Sequence, residues 1–350
     1  MKAISIGYFP ISSSLNGPGD RRRLAFWANQ RGHRIVVNSS SKVDVVIATA
    51  NSDFHRLSNS NIKVPIIFDL VDAYLTPTKF LEDLGRGIAK KITGQISGGI
   101  KSYKTHLNDF CSLADAIICS SVEQKSQFIK LNQNVHVILD SHEEFQFNDA
   151  REYVMPKLEE TRVLWEGQPQ SLLGFEEIDS VLGKLLDRHS IQLDLVTDLK
   201  YYKLLNRYFE MDTREFIHEK LKGISQFATI VPWSAANLHQ EAKLCSLALI
   251  PTDLSIPLIR LKPENRMLIM WRLGLPCLAS ASPSNTRVSR ESGTSVICEN
   301  AQDWDENIEL MLSDPDYAQK QLILGQNYLR DHHNKDIVLS KWDNVVNSVL

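Results

Sequence analysis

The sequence predicts an α/β protein built of two doubly wound domains that face a cleft. The chain has 350 residues, of which 43% are hydrophobic, so it is long and apolar enough for two cores. Short runs rich in valine, isoleucine and leucine alternate with amphipathic stretches, as in parallel sheets covered by helices on both faces. The alternation stops between His142 and Thr161 and then begins again, which divides the chain into two similar halves.

The break in this pattern sets the domain bounds. We predict an N-terminal domain at residues 1–145, a linker at 146–160, a C-terminal domain at 161–325 and closing helices at 326–350 that return toward the first domain. The linker is acidic, contains Pro156 and has no apolar period. Two domains of this kind suit a reaction with two substrates, one in each domain. Closure of the domains can also exclude water from the reaction.

The elements of the N-terminal domain follow from the spacing of its apolar residues. Nearly uninterrupted apolar runs predict strands at 3–9, 34–37, 43–48, 64–68, 116–119 and 135–139. Amphipathic stretches predict helices at 21–31, 79–110 and 122–131. Because strand and helix alternate, the strands are expected to be parallel.

The C-terminal half repeats the pattern. Apolar runs predict strands at 162–165, 193–196, 228–231, 247–250, 277–279 and 295–298. The clearest helices are expected at 172–188, 235–244 and 265–273, and residues 304–350 are expected to be all helical. The two halves are therefore two similar units rather than a short-period repeat.

Composition excludes several classes of protein. A net charge of −3 argues against a general nucleic-acid binder, so no nucleic acid is expected as a partner. No apolar run reaches the roughly 18–20 residues of a membrane span, and no secretory signal is recognisable. The cysteines form no CxxC pair and no metal-ligand spacing, which favours reduced thiols in a cytoplasmic protein without a bound metal. They are Cys111, Cys119, Cys245, Cys277 and Cys298.

Two carboxylates follow a predicted strand of the first domain. Ligands of doubly wound sheets bind beyond the carboxyl ends of the strands, and Asp69 and Asp72 stand at the end of the run 64–68. Either residue can hold a sugar hydroxyl or take a proton from it. The alternative is that one caps a turn and the other is solvated.

The first loop of the chain offers a candidate phosphate contact. Gly17 and Gly19 allow close backbone approach, and Arg22 lies among three arginines at the predicted helix start. The spacing matches neither GxGxxG nor the lysine-containing phosphate loop. A flexible surface loop before an amphipathic helix is the alternative.

Candidate ligand contacts in the second domain also lie at strand ends. Gly167 follows the strand 162–165 and leaves room for a phosphate or the opposing domain. Thr197 and Asp198 end the next strand, and Trp233 ends another. Trp233 can stack on a base or a sugar, or it can pack in the core.

The strongest candidate is the stretch that opens the predicted helix 265–273. Lys262 and Arg266 flank its start, so two cations and the first-turn backbone amides converge on an anion, with Glu264 and Asn265 beside them. A departing diphosphate would be stabilised there. The alternative is surface salt bridging with Glu264.

A local excess of positive charge runs from Lys79 to Lys104 in a chain that is acidic overall. Such a segment can dock on an anionic membrane surface. It can also grip an anionic acceptor, or it can be a solvated helix face.

Taken in order along the chain, these motifs resemble the GT-B glycosyltransferases, in particular the sugar-nucleotide-dependent group with an E-x7-E donor motif. The matching segments are 17–20, 24–33, 114–121, 163–167, 244–251, 262–266 and 274–280. The resemblance implies two Rossmann-like domains, with the acceptor in the first and the nucleotide-sugar donor in the second. It implies no metal and no cofactor besides the substrate itself.

The resemblance also assigns roles. Lys262 and Arg266 match the positions that hold the donor phosphates, and Gly167 matches the loop beside the transferred sugar. Trp233 and its neighbours lie where the base binds, and Asp69 with Asp72 resembles an Asp-x-x-Asp at the acceptor side. The candidate catalytic residues are therefore Asp69, Asp72, Lys262 and Arg266. The candidate donor-binding residues add Gly167, Thr197, Asp198, Trp233, Glu264 and Asn265, and the first loop adds Gly17, Gly19 and Arg22.

One departure from the group concerns the donor ribose. The second glutamate of E-x7-E would fall near Ile269, and no glutamate lies between Pro257 and Lys262 either. The identity of the nucleotide and the anomeric outcome are therefore open.

The expected function is a metal-independent, hexosyltransferase-like enzyme of cell-surface polysaccharide biosynthesis. It would move a sugar from a nucleotide-sugar donor to a growing glycan or glycolipid acceptor. It is expected in the cytoplasm, or peripherally on the inner face of the cell membrane. The alternatives are a nucleotide-sugar epimerase on the same fold and a non-catalytic binding or scaffold protein.

Overall fold

A computed structural model describes residues 2–12, 14–59, 62–72, 97, 102–150, 153, 161–203 and 209–350. The chain divides into two compact units. The first comprises Met1–Ser141, Leu261–Pro263 and Asn334–Leu350, and the second comprises His142–Arg260 and Glu264–His333. The closing segment that belongs with the first unit thus begins at Asn334, whereas the sequence placed the closing helices at 326–350.

The first unit is a doubly wound parallel sheet. Its strands are β1 (Ser5–Phe9), β2 (Arg34–Val37), β3 (Val45–Thr49), β4 (Ile66–Leu70), β5 (Ala116–Cys119) and β6 (Val135–Val137). They lie in the order β2-β1-β3-β4-β5-β6, and every pair is parallel. Its helices are α1 (Pro18–Arg21), α2 (Leu24–Arg31), α3 (Phe54–Asn59), α4 (Tyr103–Leu113) and α5 (Val122–Phe128), with the closing α14 (Lys335–Asn347).

Both faces of this sheet are buried, which explains the continuous apolar runs of β3, β4 and β5. On one face the sheet packs against α3 and α4, with Phe54, Phe68 and Phe110 at the centre of that cluster. On the other face it packs against α2 and α14. There Trp27 and Trp342 stack with ring centroids 5.7 Å apart.

The second unit repeats the architecture. Its parallel strands are β7 (Arg162–Glu166), β8 (Gln192–Thr197), β11 (Ala228–Pro232), β12 (Leu247–Ile250), β13 (Cys277–Ser280) and β14 (Ile297–Cys298), in the order β11-β8-β7-β12-β13-β14. An antiparallel hairpin of β9 (Lys200–Lys203) and β10 (Phe209–Asp212) lies between β8 and β11 in the chain. The two doubly wound units predicted from the sequence are confirmed.

The helices of the second unit connect these strands. They are α6 (Asp179–His189), α7 (Thr213–Lys220), α8 (Ala235–Leu244), α9 (Pro257–Arg260), α10 (Asn265–Arg272), α11 (Pro283–Ser292), α12 (Ala301–Ser313) and α13 (Pro315–His332). Helix α8 packs on β7 and β8, and α10 packs on β12 and β13. The all-helical tail is confirmed by α12, α13 and α14.

Two predicted helices differ from the structure. The helix expected at 21–31 breaks after Arg21 and restarts at Leu24. The helix expected at 172–188 is a 3-10 helix, Pro169–Phe175, followed by α6. Gly174 in that 3-10 helix lies so close to the backbone after β12 that a Cβ would stand 2.5 Å from the Pro251 carbonyl oxygen. The hairpin and the helices α1, α3, α7, α9 and α11 were not predicted.

No helix in the described part of the chain is both long enough and apolar enough to cross a bilayer. Residues 79–96 and 98–101 lie outside the described residues, so the basic segment from Lys79 to Lys104 stays a prediction.

Candidate functional site

The second sheet has one point at which the strand order reverses. From β7 the chain adds β8 and β11 on one side, and then β12, β13 and β14 on the other. In open parallel sheets, ligands bind beyond the carboxyl ends of the strands at such a switch point. The residues that follow β7 and β12 therefore define the candidate site.

Arg266 of α10 spans this switch point. Its Nη2 donates to Thr252 Oγ1, just after β12, at 3.1 Å. Its Nη1 lies 3.6 Å from where a Cβ on Gly167, just after β7, would stand. That Cβ would also come within 2.9 Å of the Trp165 ring. The structure thus brings Gly167 and Arg266 together, and it leaves no room for a side chain at Gly167.

The charge of Arg266 is incompletely balanced. Burial lowers the pKa of its guanidinium, and the nearby Glu166 carboxylate opposes that shift. Within the described residues, Arg266 Nη1 is buried and makes no hydrogen bond. Such a group is stabilised by an anion that accepts from it.

The helix start beside Arg266 adds to the positive potential. Helix α10 begins at Asn265, and its N-cap, Glu264, makes no side-chain capping bond to the first turn. Pro263 therefore precedes the helix. First-turn backbone amides that the N-cap side chain leaves uncapped, together with the helix dipole, favour an anion at this place.

The neighbouring strands β8 and β11 extend the site. The Thr197 hydroxyl donates to the Gly167 carbonyl at 2.7 Å, and the Trp233 amide donates to the Thr197 carbonyl at 3.0 Å. The Trp233 indole Nε1 donates to Glu166 Oε1 at 2.9 Å. Three predicted donor-site residues, Gly167, Thr197 and Trp233, are therefore linked by hydrogen bonds at one edge of the sheet.

Glu264, Asn265 and Asp198 lie in different environments. Glu264 is 3% exposed and pairs with the partly exposed Arg287 of α11 at 3.0 Å, so its carboxylate is not part of the predicted surface salt bridge with Lys262 or Arg266. The Oδ1 of Asn265 is buried and accepts no hydrogen bond from the part of the chain that the structure describes. Asp198 is exposed, and its carbonyl accepts from Thr213 Oγ1 at 2.7 Å.

Lys262 belongs to the first unit, whereas Arg266 belongs to the second. Its Nζ lies 3.8 Å from Asp72 Oδ1, and both side chains are partly exposed. The preceding carbonyl, that of Leu261, accepts from Ser121 Oγ at 3.1 Å. The structure therefore brings Lys262 to Asp72 within the first unit, and it brings Arg266 to Gly167 within the second.

Asp69 is inside the first unit and not at an open strand end. It is fully buried as the fourth residue of β4, and Arg23 Nε donates to its Oδ2 at 3.0 Å. Arg23 also donates to the Ile138 carbonyl at 2.7 Å and to Asp140 Oδ1 at 3.3 Å. This geometry corrects the expectation that Asp69 follows its strand with an accessible carboxylate, and it favours a structural role.

Arg23 explains why the predicted helix 21–31 is interrupted. Its φ of −117° and ψ of −109° are not helical, and its side chain turns into the core, where it is completely buried. The buried Arg23 therefore does not share the role of phosphate contact that the sequence predicts for Arg22. Sequence reasoning also missed Asp140, whose pKa is raised by burial although Arg23 opposes the shift.

The first loop is organised by Asp20, which sequence reasoning also missed. The buried Asp20 carboxylate accepts from the Tyr8 hydroxyl at 2.6 Å, from the Ile11 amide at 2.8 Å and from Ser12 Oγ at 2.7 Å. Ser12 Oγ in turn accepts from the Gly17 amide at 3.0 Å. The loop is therefore tied to the sheet by specific bonds.

The other predicted residues of this loop, Gly19 and Arg22, have structural roles in packing and backbone hydrogen bonding. A Cβ on Gly19 would stand 2.6 Å from Ile11 Cδ1. Arg22 is 9% exposed, and its carbonyl accepts from the Ser141 amide at 2.7 Å. Helix α1 has only four residues, too few for a substantial dipole at its start. A phosphate contact by this loop stays a prediction.

In the second unit, sequence reasoning missed Glu166 and Thr252. Glu166 is the last residue of β7, and Thr252 lies two positions after the end of β12. Their place at strand ends could therefore have marked them as candidate site residues. What the sequence lacks is any sign that they contact Trp233 and Arg266. Among the described residues, no group of three or more His, Cys, Asp or Glu side chains is placed to hold a metal ion.

No family model and no curated protein matches this sequence. The fold nevertheless is a known one. Two doubly wound units with parallel six-stranded sheets form the GT-B fold of glycosyltransferases, as the sequence motifs had suggested.

Three solved structures illustrate the likeness. HepE of Anabaena, crystallised with UDP and glucose, has a TM-score of 0.64 at 12% identity, over 99% of this chain and 100% of that one. WaaG, a glycosyltransferase involved in lipopolysaccharide biosynthesis, has a TM-score of 0.57 at 13% identity, over 97% of this chain and 98% of that one. TarM from S. aureus has a TM-score of 0.61 at 11% identity, over 88% of this chain.

The chain spans 56% of the length of TarM. Identities this low establish a shared fold and leave substrate and activity to the residues of the site.

Proposed function

We propose that this protein is a glycosyltransferase that moves a sugar from a nucleotide-sugar donor to a growing glycan or glycolipid in cell-surface polysaccharide biosynthesis. The observation that carries the proposal is Arg266 at the switch point of the second sheet, with a buried Nη1 that the described residues leave without a hydrogen bond. The fold likeness supports it, since HepE was also crystallised with UDP-glucose.

On the donor side, Arg266 and the first amides of α10 would bind the diphosphate and stabilise the charge that develops as it leaves. Gly167 would let the sugar end approach the backbone, because no side chain fills that place. Trp233 would flank the base or sugar with its ring. Two further pairs of residues would complete the donor side. The end of β8 would contribute Thr197 and Asp198, and the start of α10 would contribute Glu264 and Asn265.

On the acceptor side, Asp72 is the candidate for the catalytic carboxylate. Asp69 is neutralised by Arg23, whereas Asp72 is partly exposed and lies near Lys262. Asp72 would orient or deprotonate the acceptor hydroxyl, and Lys262 would supply positive charge to the reaction. Gly17, Gly19 and Arg22 would border the acceptor.

Two finer features belong to the same proposal. Hexosyl transfer without a metal is supported by the cation and helix start, which together offer what a metal would supply to a diphosphate. No further cofactor is then needed.

A cytoplasmic enzyme on the inner face of the membrane is supported by the basic composition of 79–104. Flotation with anionic and neutral vesicles at low and high salt tests that location, and binding indifferent to both would contradict it.

The central experiment uses the full chain and a panel of nucleotide sugars, with donor breakdown and sugar transfer as readouts. Arg266→Ala should abolish most of the activity, and the exposed Arg290→Ala on α11 serves as the matched control. Equal activity of the two variants would contradict the site. An epimer formed without acceptor would identify an epimerase, and calorimetry without nucleotide binding would identify a scaffold.

A further inference from the structure

Thr252 holds one edge of the Arg266 guanidinium. The hydroxyl oxygen accepts from Nη2 at 3.1 Å, and the Thr252 hydroxyl can donate onward to the Ile250 carbonyl at 3.5 Å. The two roles are compatible, because a hydroxyl that donates its single hydrogen to the carbonyl still has a lone pair that can accept from the arginine. Nη1, on the other edge, is directed toward Gly167.

Thr252 is itself fixed from two sides. Its amide donates to Ser280 Oγ, at the end of the adjacent strand β13, at 2.9 Å. The backbone of Gly174 packs against it so closely that a Cβ there would stand 2.8 Å from the Thr252 amide nitrogen. The acceptor for Arg266 is therefore set by neighbouring elements and not by a loop that rotates freely.

A hydroxyl acceptor has a different effect from a carboxylate. A carboxylate would orient Arg266 and also neutralise it, as Asp69 neutralises Arg23 in the first unit. Thr252 fixes the direction of the guanidinium and leaves its positive charge in place. Arginine has several rotatable bonds, so fixing it in advance lowers the entropy lost when an anion binds.

We infer that Thr252 is a positioning residue that presents the charged guanidinium of Arg266 to the anionic part of the substrate. This inference rests on the proposed function and names a residue that the sequence motifs did not. Ser280 contributes indirectly, because its hydroxyl oxygen accepts from the Thr252 amide and so fixes the position of Thr252.

The test compares Thr252→Val, which keeps the shape and removes the hydroxyl, with Thr252→Ser, which keeps the hydroxyl. We expect Thr252→Val to lower kcat/KM for the donor about 10-fold, because a hydrogen bond to a charged group is lost. Thr252→Ser should stay within about twofold of the wild type. Thermal melting of both variants checks that the fold is retained.

A double-mutant cycle separates positioning from a general structural effect. In the Arg266→Ala background, Thr252→Val should lower activity by less than about twofold, because the group that it positions is gone. A loss as large as in the wild type would overturn the inference. So would a Thr252→Ser variant as impaired as Thr252→Val.

Binding of inorganic pyrophosphate, measured by calorimetry, gives a readout that does not need turnover. If the wild type binds pyrophosphate and Thr252→Val weakens it about 10-fold, the inference stands even where no sugar is transferred and the proposed function fails. If the wild type transfers sugar and Thr252→Val matches it in both assays, the inference fails and the function stands. A wild type that neither transfers sugar nor binds pyrophosphate overturns both.

Discussion

Arg23 and Asp69 form an ion pair in which both side chains are completely buried. A buried charge that loses its partner is costly, because burial removes its hydration and nothing replaces it. We predict that Asp69→Asn lowers the free energy of unfolding by about 3 kcal/mol or more. Urea unfolding measures this. Asp331→Asn, at an exposed position, is the control, and equal stability of the two variants would argue against a structural role for Asp69.

Asp72 should behave in the opposite way. Its side chain is 35% exposed, so replacing it leaves the core intact. We predict that Asp72→Asn changes the midpoint of unfolding little and lowers transfer to the acceptor at least about 10-fold, as expected when a general base is lost. Donor binding should be unchanged. Transfer at the wild-type rate would remove Asp72 from the reaction.

These two aspartates show what the sequence could predict. The apolar run that forms most of β4, the parallel sheets and the two units follow from apolar periodicity, because a strand buried on both faces of a sheet is apolar at consecutive residues. The partner of each aspartate cannot be predicted in this way. Arg23 lies 46 positions from Asp69, and nothing local to either residue indicates that they meet in the core.

The donor-side cluster could be predicted only in part, because its strand ends are visible in the sequence and its side-chain pairings are not. Gly167, Thr197 and Trp233 stand at strand ends, and strand ends of a parallel sheet meet at one edge. The pairings of Arg266 with Thr252 and of Trp233 with Glu166 depend on strand order and side-chain direction. Lys262 and Arg266 are four positions apart in sequence, and yet they belong to different units.

Arg266 should be the most sensitive residue of the second unit. We predict that Arg266→Ala lowers kcat/KM by about 100-fold or more, and that Arg266→Lys restores only part of the loss. A lysine keeps the charge but cannot contact Thr252 and an anion with two parallel N–H groups. Steady-state kinetics with varied donor measures both variants. Full recovery by lysine would show that charge alone is needed.

Trp233 is expected to orient Glu166 as well as to contact the donor. We predict that Trp233→Phe, which removes the indole N–H and keeps an aromatic ring, weakens donor binding about 3- to 10-fold with little change in stability. The released carboxylate would then be free to turn toward Arg266. The double variant with Glu166→Gln tests this coupling. Strictly additive effects would show that the two side chains act independently.

The closing helix α14 should give the first unit a stability that depends on pH. Asp343 accepts from Trp27 Nε1 at 2.8 Å and from Arg31 Nη2 at 2.6 Å. Burial raises the pKa of Asp343, but these hydrogen bonds outweigh it, so its pKa lies below the ordinary value of about 3.9. The folded state therefore gains stability above that ordinary value, and the gain disappears as the pH falls through the lower, folded pKa. We predict that Asp343→Asn costs up to about 1 kcal/mol at pH 7, since the pair is partly exposed, and less below about pH 4. Urea unfolding from pH 3 to 7 measures the difference, and a gap that widens on acidification would contradict the assigned pairing.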